Sequence, residues 1–201
     1  MTPAATPTGL GPEPVLVAPE VTLVDLMFCG EPRSIASALL RTSSGIVVVD
    51  PGPTTTLDAL ERALEGLHAN WKDVRAVLLT HLHLDHAGSA GTIARFDPGI
   101  NVVVHASGAP HLADPARLLR SAAMIYGDDL RPLWGDVLPV PAGHIVPLAG
   151  GEILRVDGRV FAVAATPDTR AITPAFWMHT PAPRSSETQP LAGSGVASLV
   201  S

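Results

Sequence analysis

Several residue types are scarce in this 201-residue sequence, and each scarcity excludes a class of protein. Cys29 is the only cysteine, so no disulfide can form within the chain, which favours a reducing cytoplasm. No apolar run approaches the ~20 residues of a membrane span, and no basic start with an apolar core marks an export signal. Lys72 is the only lysine and the net charge is -6, so no basic stripe is present to bind a nucleic-acid backbone. We therefore expect a cytoplasmic protein without a membrane or nucleic-acid partner.

The remaining composition describes a globular chain with one domain. Hydrophobic residues make up 46% of the sequence and charged residues 16%, which is enough to bury a sizeable core. Residues 1–14 are rich in proline, threonine and glycine, and we expect them to be a disordered leader. Residues 15–167 hold the regular patterns. Residues 168–201 contain many prolines and serines without strand alternation, and we expect an irregular tail.

Strand and helix patterns alternate along the middle of the chain, which predicts a layered α/β structure. Buried strands read as short apolar runs, and the intervening helix shows leucines at helical spacing. Three consecutive threonines before that helix predict an N-cap. The predicted elements are strands at Gly45–Asp50, Val74–Thr80 and Asn101–His105, helices at Leu57–Leu67, Gly88–Phe96 and Pro115–Tyr126, and the cap at Thr54–Thr56.

The densest chemistry lies directly after the strand that ends at Thr80. Imidazole and carboxylate ligands at this density suit a borderline divalent metal, zinc first. If the chain stays extended from His81 to His83, the side chains of these two histidines point the same way while Leu82 points into the core. Asp85 and His86 then lie on the turn that enters a helix. One short segment therefore offers two pairs of ligands to two neighbouring metal ions. The alternative is a set of polar residues on a surface loop. The candidate metal ligands are His81, His83, Asp85 and His86.

Other ionisable residues have weaker claims to a function. Asp50 ends a buried strand, and we expect it to be an outer-shell partner that orients a metal ligand; the alternative is an ordinary turn aspartate. His105 and His111 could line a cleft, although a hydrogen-bonded structural role is favoured for each. A helical insert at Pro115–Trp134 would overhang the metal motif and could set substrate choice.

The motif His81-Leu82-His83-Leu84-Asp85-His86 resembles the signature of the metallo-β-lactamase superfamily, glyoxalase II-like members included. The stretch Asp50-Pro51-Gly52 is similar to that family's Asp-x-Gly turn. The resemblance covers the domain at 15–167. It implies an αββα sandwich, two zinc ions held by the four motif residues, and Asp85 as the catalytic residue that orients the nucleophile. It also implies a hydrolase in which metal-bound hydroxide attacks a small ester or thioester.

The resemblance weakens after Pro167, where the family has Gly-His and this chain has Asp168-Thr169. Reading the back-translated gene one base earlier restores Gly-His and a later Gly-Asp, so we hypothesise a frameshift there. The second sheet is then incomplete, each ligand pair lacks a third ligand, and we expect weak zinc binding and little activity from the chain as written. Two alternatives remain open, namely an inactive remnant or metal-binding module, and a redox member with a di-iron centre.

Overall fold

The larger of two sheets has seven strands, and strands adjacent in the sequence are adjacent in the sheet. In the computed structural model, which describes residues 13–167, 172–179 and 196–199, the first four strands pair antiparallel. The fourth to seventh strands pair parallel, and continuous apolar runs such as those of the fourth to sixth are typical of buried parallel strands. The strands are β1 (Val15–Ala18), β2 (Val21–Asp25), β3 (Ala36–Arg41), β4 (Ile46–Val49), β5 (Val74–Leu78), β6 (Asn101–His105) and β7 (Ile145–Leu148).

Helices connect the parallel strands, because a parallel pair needs a long crossover. Leu60 and Leu64 of the first helix are fully buried against one face of the large sheet, as the leucine spacing predicted. Short 3-10 turns at Phe28–Gly30, Thr54–Thr56, Trp71–Asp73, Gly127–Asp129 and Ala142–His144 join several elements. The α-helices are α1 (Leu57–Gly66), α2 (Leu84–Ala87), α3 (Ala90–Ile93), α4 (Ala109–Ala113), α5 (Ala116–Tyr126) and α6 (Leu130–Trp134).

A second, four-stranded sheet packs on the other face of the large sheet. Its order is β10-β9-β8-β11, formed by β8 (Ile153–Val156), β9 (Arg159–Pro167), β10 (Ile172–His179) and β11 (Val196–Leu199). Apolar residues from both sheets form one buried cluster that includes Val47 and Leu78 from the first and Leu154 and Phe161 from the second. The predicted α/β class is confirmed, with helices on one side of two stacked sheets. No helix in the described residues combines the length and apolar character needed to cross a membrane.

A hydrogen-bonded cluster joins one turn of the large sheet to one turn of the second sheet. Asp157 lies in the turn between β8 and β9, and its carboxylate accepts hydrogen bonds from the turn between β3 and β4. The donors are the hydroxyls of Thr42, Ser43 and Ser44 and the backbone N–H of Ser44, the last at 2.8 Å. These donors stabilise the ionised form and hold the pKa of Asp157 at about 2, against the opposing effect of its partial burial.

The structure differs from the predicted elements at three places. Only the short helix α3 lies within the expected helix at Gly88–Phe96, and a separate short helix, α2, precedes it from Leu84. Thr56 is the N-cap residue of α1, as predicted, but its side chain makes no capping hydrogen bond, and the hydroxyls of Thr54 and Thr55 donate to the carbonyls of Asp136 and Leu133. Strands β10 and β11 lie where we predicted an irregular tail. The rest of that tail and residues 1–12 of the predicted leader at 1–14 lie outside the described residues.

Candidate metal centre

The candidate ligands lie at the carboxyl edge of the parallel part of the large sheet. Asp50 follows the last residue of β4, and the metal motif follows β5 after two further residues. The backbone N–H of Asp50 donates to the carbonyl of Leu78 at the end of β5, which fixes the two strand ends side by side. This edge is where α/β sheets usually bind ligands, because successive loops meet there without crossing the sheet.

The first half of the motif follows the predicted alternation. His83 keeps an extended backbone, with φ of -64° and ψ of 151°. The rings of His81 and His83 lie on one side with centroids 4.7 Å apart, while Leu82 packs into the core. Helix α2 begins at the next residue, Leu84, and carries Asp85 and His86 in its single turn, whereas we expected these two residues on the turn before a helix.

Three of the four predicted ligands form a single group. His81, Asp85 and His86 each offer one ligand atom, and these atoms all lie within 4.8 Å of one another. The rings of His81 and His86 have centroids 3.9 Å apart, and all three residues are half-buried. His83 is exposed and lies outside this group. Among the described residues His81 thus lies with the ligands on α2, whereas the sequence-based prediction paired it with His83.

The charges in this group depend on its carboxylates. Burial lowers the pKa of His81, and the neighbouring imidazoles of His86 and His83 lower it further. Burial also acts to lower the pKa of His86, but hydrogen bonds to Asp50 and Asp85 outweigh it and raise that pKa to about 9. The hydrogen bond to His86 in turn lowers the pKa of Asp85. At neutral pH His81 is therefore neutral with a free lone pair, whereas His86 holds a proton that a metal would displace.

Asp50 is buried and contacts the motif through both carboxylate oxygens. Its Oδ1 accepts from the backbone N–H of Thr80 at 2.8 Å. Its Oδ2 accepts from the hydroxyl of Thr80 at 2.6 Å and lies 2.9 Å from Nδ1 of His86. The predicted contact between Asp50 and a candidate ligand is present. Sequence reasoning missed Thr80, and the only indication of its role was its position between the strand and the first histidine.

The predicted helical insert packs directly against the motif. Leu84 forms a buried cluster with Ala122 of α5 and Trp134 of α6. The ring of Trp134 stacks on Phe28 with centroids 5.0 Å apart and meets Tyr126 edge-on at 5.3 Å. The insert is thus seated beside the candidate ligands by an aromatic core.

Two histidines outside the motif, His105 and His144, have structural contacts, and a third, His111, does not join the candidate ligands. His105 is buried at the end of β6, and its Nδ1 lies 2.7 Å from the hydroxyl of Ser107. Nδ1 of His144 lies 2.9 Å from the carbonyl of Ile100. His111 is half-buried on α4 and does not join the three-residue group.

Comparisons with known proteins identify the family of this chain. The family model of the metallo-beta-lactamase superfamily matches residues 30–185. The chain belongs to this superfamily. A UPF0173 metal-dependent hydrolase from Pyrococcus abyssi is 29% identical over 123 residues, covering 56% of this chain and 50% of that protein. A hydroxyacylglutathione hydrolase from Vibrio campbellii is 35% identical over 127 residues, covering 57% of this chain and 45% of its own length. The chain thus spans about half the length of these relatives.

Solved structures of the superfamily share the fold. A metallo-beta-lactamase family protein from Thermus thermophilus superposes with a TM-score of 0.63 and 25% identity, covering 81% of this chain and 57% of that one. A metallo-beta-lactamase from Legionella gormanii gives a TM-score of 0.65 at 17% identity, covering 86% of this chain and 60% of that one. These likenesses support the metallo-β-lactamase fold, including its small second sheet.

The three grouped residues fit a metal by their chemistry and spacing. Two imidazoles and one carboxylate form a ligand set that catalytic zinc sites use, with a fourth position left for water. Nε2 of His86 and Oδ2 of Asp85 lie 3.2 Å apart. Two ligands of a tetrahedral zinc lie about 3.4 Å apart, as follows from bond lengths near 2.1 Å. Small side-chain rotations would therefore close the group around one ion.

Proposed function

We propose that this chain is a metal-dependent hydrolase that holds zinc at His81, Asp85 and His86 and cleaves a small ester or thioester. The observation that supports it best is the half-buried group of three ligand atoms within 4.8 Å of one another. Three protein ligands with an open fourth position are typical of catalytic zinc, whereas structural zinc sites use four. The group contains three ligands, which supports tighter zinc binding than the two-ligand pairs expected from the sequence.

Each residue has a defined task in this proposal. His81 and His86 supply ring nitrogens, and Asp85 supplies a carboxylate oxygen and orients the attacking water. Zinc, when bound, lowers the pKa of water to ~7 and polarises the scissile carbonyl. His83 is exposed beside His81 and is the ligand left for the second zinc ion that the family resemblance implies.

The substrate class follows from similarity and from charge. The relative from Vibrio campbellii is by name a hydroxyacylglutathione hydrolase, and such a substrate is a small thioester. The net charge of -6 disfavours nucleic-acid substrates. We therefore propose a small thioester first, acted on in a reducing cytoplasm, where a chain with one cysteine is stable.

The test combines metal content with turnover in the purified 201-residue chain. We expect retained zinc after dialysis and thioester hydrolysis that a chelator abolishes and zinc restores. His81→Ala should lose both properties. His68→Asn is the matched control, since it removes an exposed imidazole outside the group and asparagine tolerates the positive φ of 56° at this position.

Two results would contradict the proposal in different ways. Retained zinc without any ester or thioester hydrolysis would favour the alternative of a metal-binding module. Loss of zinc on dialysis of the wild-type chain would show that the three ligands do not suffice. A ratio of two zinc ions per chain, falling to one in His83→Ala, would establish the second site.

A further inference from the structure

Two candidate ligands are connected to the same buried carboxylate, one directly and one through a hydroxyl. Oδ2 of Asp50 lies 2.9 Å from Nδ1 of His86 and 2.6 Å from the hydroxyl oxygen of Thr80. That hydroxyl oxygen lies 3.0 Å from Nδ1 of His81. A single chain of hydrogen bonds therefore runs from His86 through Asp50 and Thr80 to His81.

The proton positions in this chain follow from donor and acceptor chemistry. An ionised carboxylate can only accept, and a threonine hydroxyl has one proton to give. A distance of 2.6 Å between the hydroxyl and Oδ2 of Asp50 requires a proton between them, since two bare oxygens at that distance repel. The hydroxyl of Thr80 thus donates to Asp50 and must accept from His81. Nδ1 of His81 carries the proton, and Nε2 keeps the lone pair.

The same reasoning applies to His86. Its Nδ1 donates directly to Asp50, so its Nε2 is the atom that faces Asp85, at 3.2 Å. Both imidazoles are therefore oriented through Nδ1 and present Nε2 toward the group of ligand atoms. The two orientations share one acceptor oxygen, so a change at Asp50 disturbs both, whereas a change at the hydroxyl disturbs His81 alone.

We propose that Thr80 is a positioning residue. Its hydroxyl donates to Asp50 and accepts from Nδ1–H of His81. This bond fixes the Nδ1–H tautomer of His81, which leaves Nε2 free for the metal. This inference rests on the proposed function for the identity of the ligands. A free neutral imidazole prefers its proton on Nε2, which would block the metal-binding atom. The relay therefore works against the intrinsic preference of the ring, and the bond that His81 makes at Nδ1 determines which nitrogen binds.

The backbone supports this role for Thr80. Its N–H donates to Oδ1 of Asp50 at 2.8 Å and its hydroxyl donates to Oδ2, so Thr80 forms hydrogen bonds to both carboxylate oxygens. The N–H bond survives any substitution of the side chain. Thr80→Val keeps the shape and the backbone bond and removes only the hydroxyl, whereas Thr80→Ser keeps the hydroxyl.

The first experiment reads the tautomer in the metal-free protein by the ring nitrogen chemical shifts of His81, after assignment with His81→Gln. We expect the Nδ1–H tautomer in the wild type and in Thr80→Ser, and a shift toward Nε2–H in Thr80→Val. A wild-type His81 with its proton on Nε2 would overturn the proposal without any variant. An unchanged tautomer in a folded Thr80→Val would overturn it as well.

The second experiment measures zinc affinity by competition with a chromophoric chelator. Loss of an outer-shell partner typically costs 10–100-fold in metal affinity, and we expect that range for Thr80→Val and less than about threefold for Thr80→Ser. Asp50→Asn should cost more than Thr80→Val, and adding Thr80→Val to it should cost little more, because the relay then has no charged acceptor. Equal losses in Thr80→Val and Thr80→Ser would contradict a role for the hydroxyl. If the wild type binds no zinc, the proposed function fails, whereas the tautomer experiment still decides the relay.

Discussion

Replacing Asp157 with asparagine tests the hydrogen-bonded cluster that joins a turn of each of the two sheets. Asparagine suits the positive φ of 43° at this position, so the change removes the charge without adding backbone strain. The carboxylate accepts from three hydroxyls and one N–H, which explains a pKa of about 2 in place of 3.8. That difference corresponds to at most about 2.4 kcal/mol at ~1.4 kcal/mol per pKa unit. Because the residue is only partly buried, solvent screening reduces the expected loss to about 1 kcal/mol.

The sign of the pH dependence follows from the lowered pKa. A carboxyl whose pKa is lower in the folded state stabilises the protein fully above its unfolded value of 3.8, and this contribution is lost as the pH falls toward 2. Urea unfolding at pH 7 should therefore show Asp157→Asn to be less stable by about 1 kcal/mol, and the difference should shrink by about half at pH 3.

The control for this prediction is Glu13→Gln, which changes the net charge equally at an exposed residue. It should leave the free energy of unfolding within about 0.5 kcal/mol of the wild type. A difference between wild type and Asp157→Asn that is the same at pH 7 and pH 3 would refute the reasoning, since the loss would then not come from the charge.

Four further predictions follow from the structure and the sequence. Phe161→Ala should destabilise the core between the sheets by about 3–5 kcal/mol in urea unfolding, because Phe161 is only 1% exposed. Gly91→Ala should cost about 1–3 kcal/mol, because a Cβ at Gly91 would overlap the backbone oxygen of Leu138, and Gly66→Ala, with nothing nearby, is its control. Zinc affinity should rise about tenfold per pH unit between pH 6.5 and 9, because His86, with its pKa of about 9, must lose a proton; a flat profile would contradict this assignment. Sequencing the gene again across the codons for Val160–Ser201 should find one base missing or extra just after Pro167. An unchanged reading frame would contradict the explanation that the frameshift arose as an error in the recorded sequence.

The parts of the fold that sequence predicted best are those determined by local patterns. Strands β4, β5 and β6 are apolar runs bounded by clear breaks, and they were predicted to within a few residues. The separate helix α2 was not predicted. Gly88 lies between α2 and α3, and a Cβ there would lie 3.1 Å from Cα of Pro53, a long-range contact that no local pattern reports. Thr56 is the N-cap as predicted, but none of the three threonine side chains caps the helix, for the same kind of reason. The hydroxyls of Thr54 and Thr55 find acceptors about 80 residues away, and no local pattern reports such partners.

The candidate site shows the same division. The alternation of His81 and His83 around Leu82 follows from an extended backbone and was predictable. The association of His81 with Asp85 and His86 depends on ring orientations that the buried Asp50 influences from another strand. The contact between Asp50 and the motif could be expected from the strand order. The bridge from Asp50 to His81 through the hydroxyl of Thr80 could not.

All three grouped ligands come from six consecutive residues, between His81 and His86. An ion bound there would close a very short loop, so it would remove little conformational entropy from the unfolded chain. Its effect on stability would then be limited to mass action, set by the ratio of free metal to dissociation constant. The fold does not depend on such a cross-link, because its core and sheets are held by contacts elsewhere. Stripping the metal should therefore leave a folded protein, in contrast to small domains that unfold when their zinc is removed.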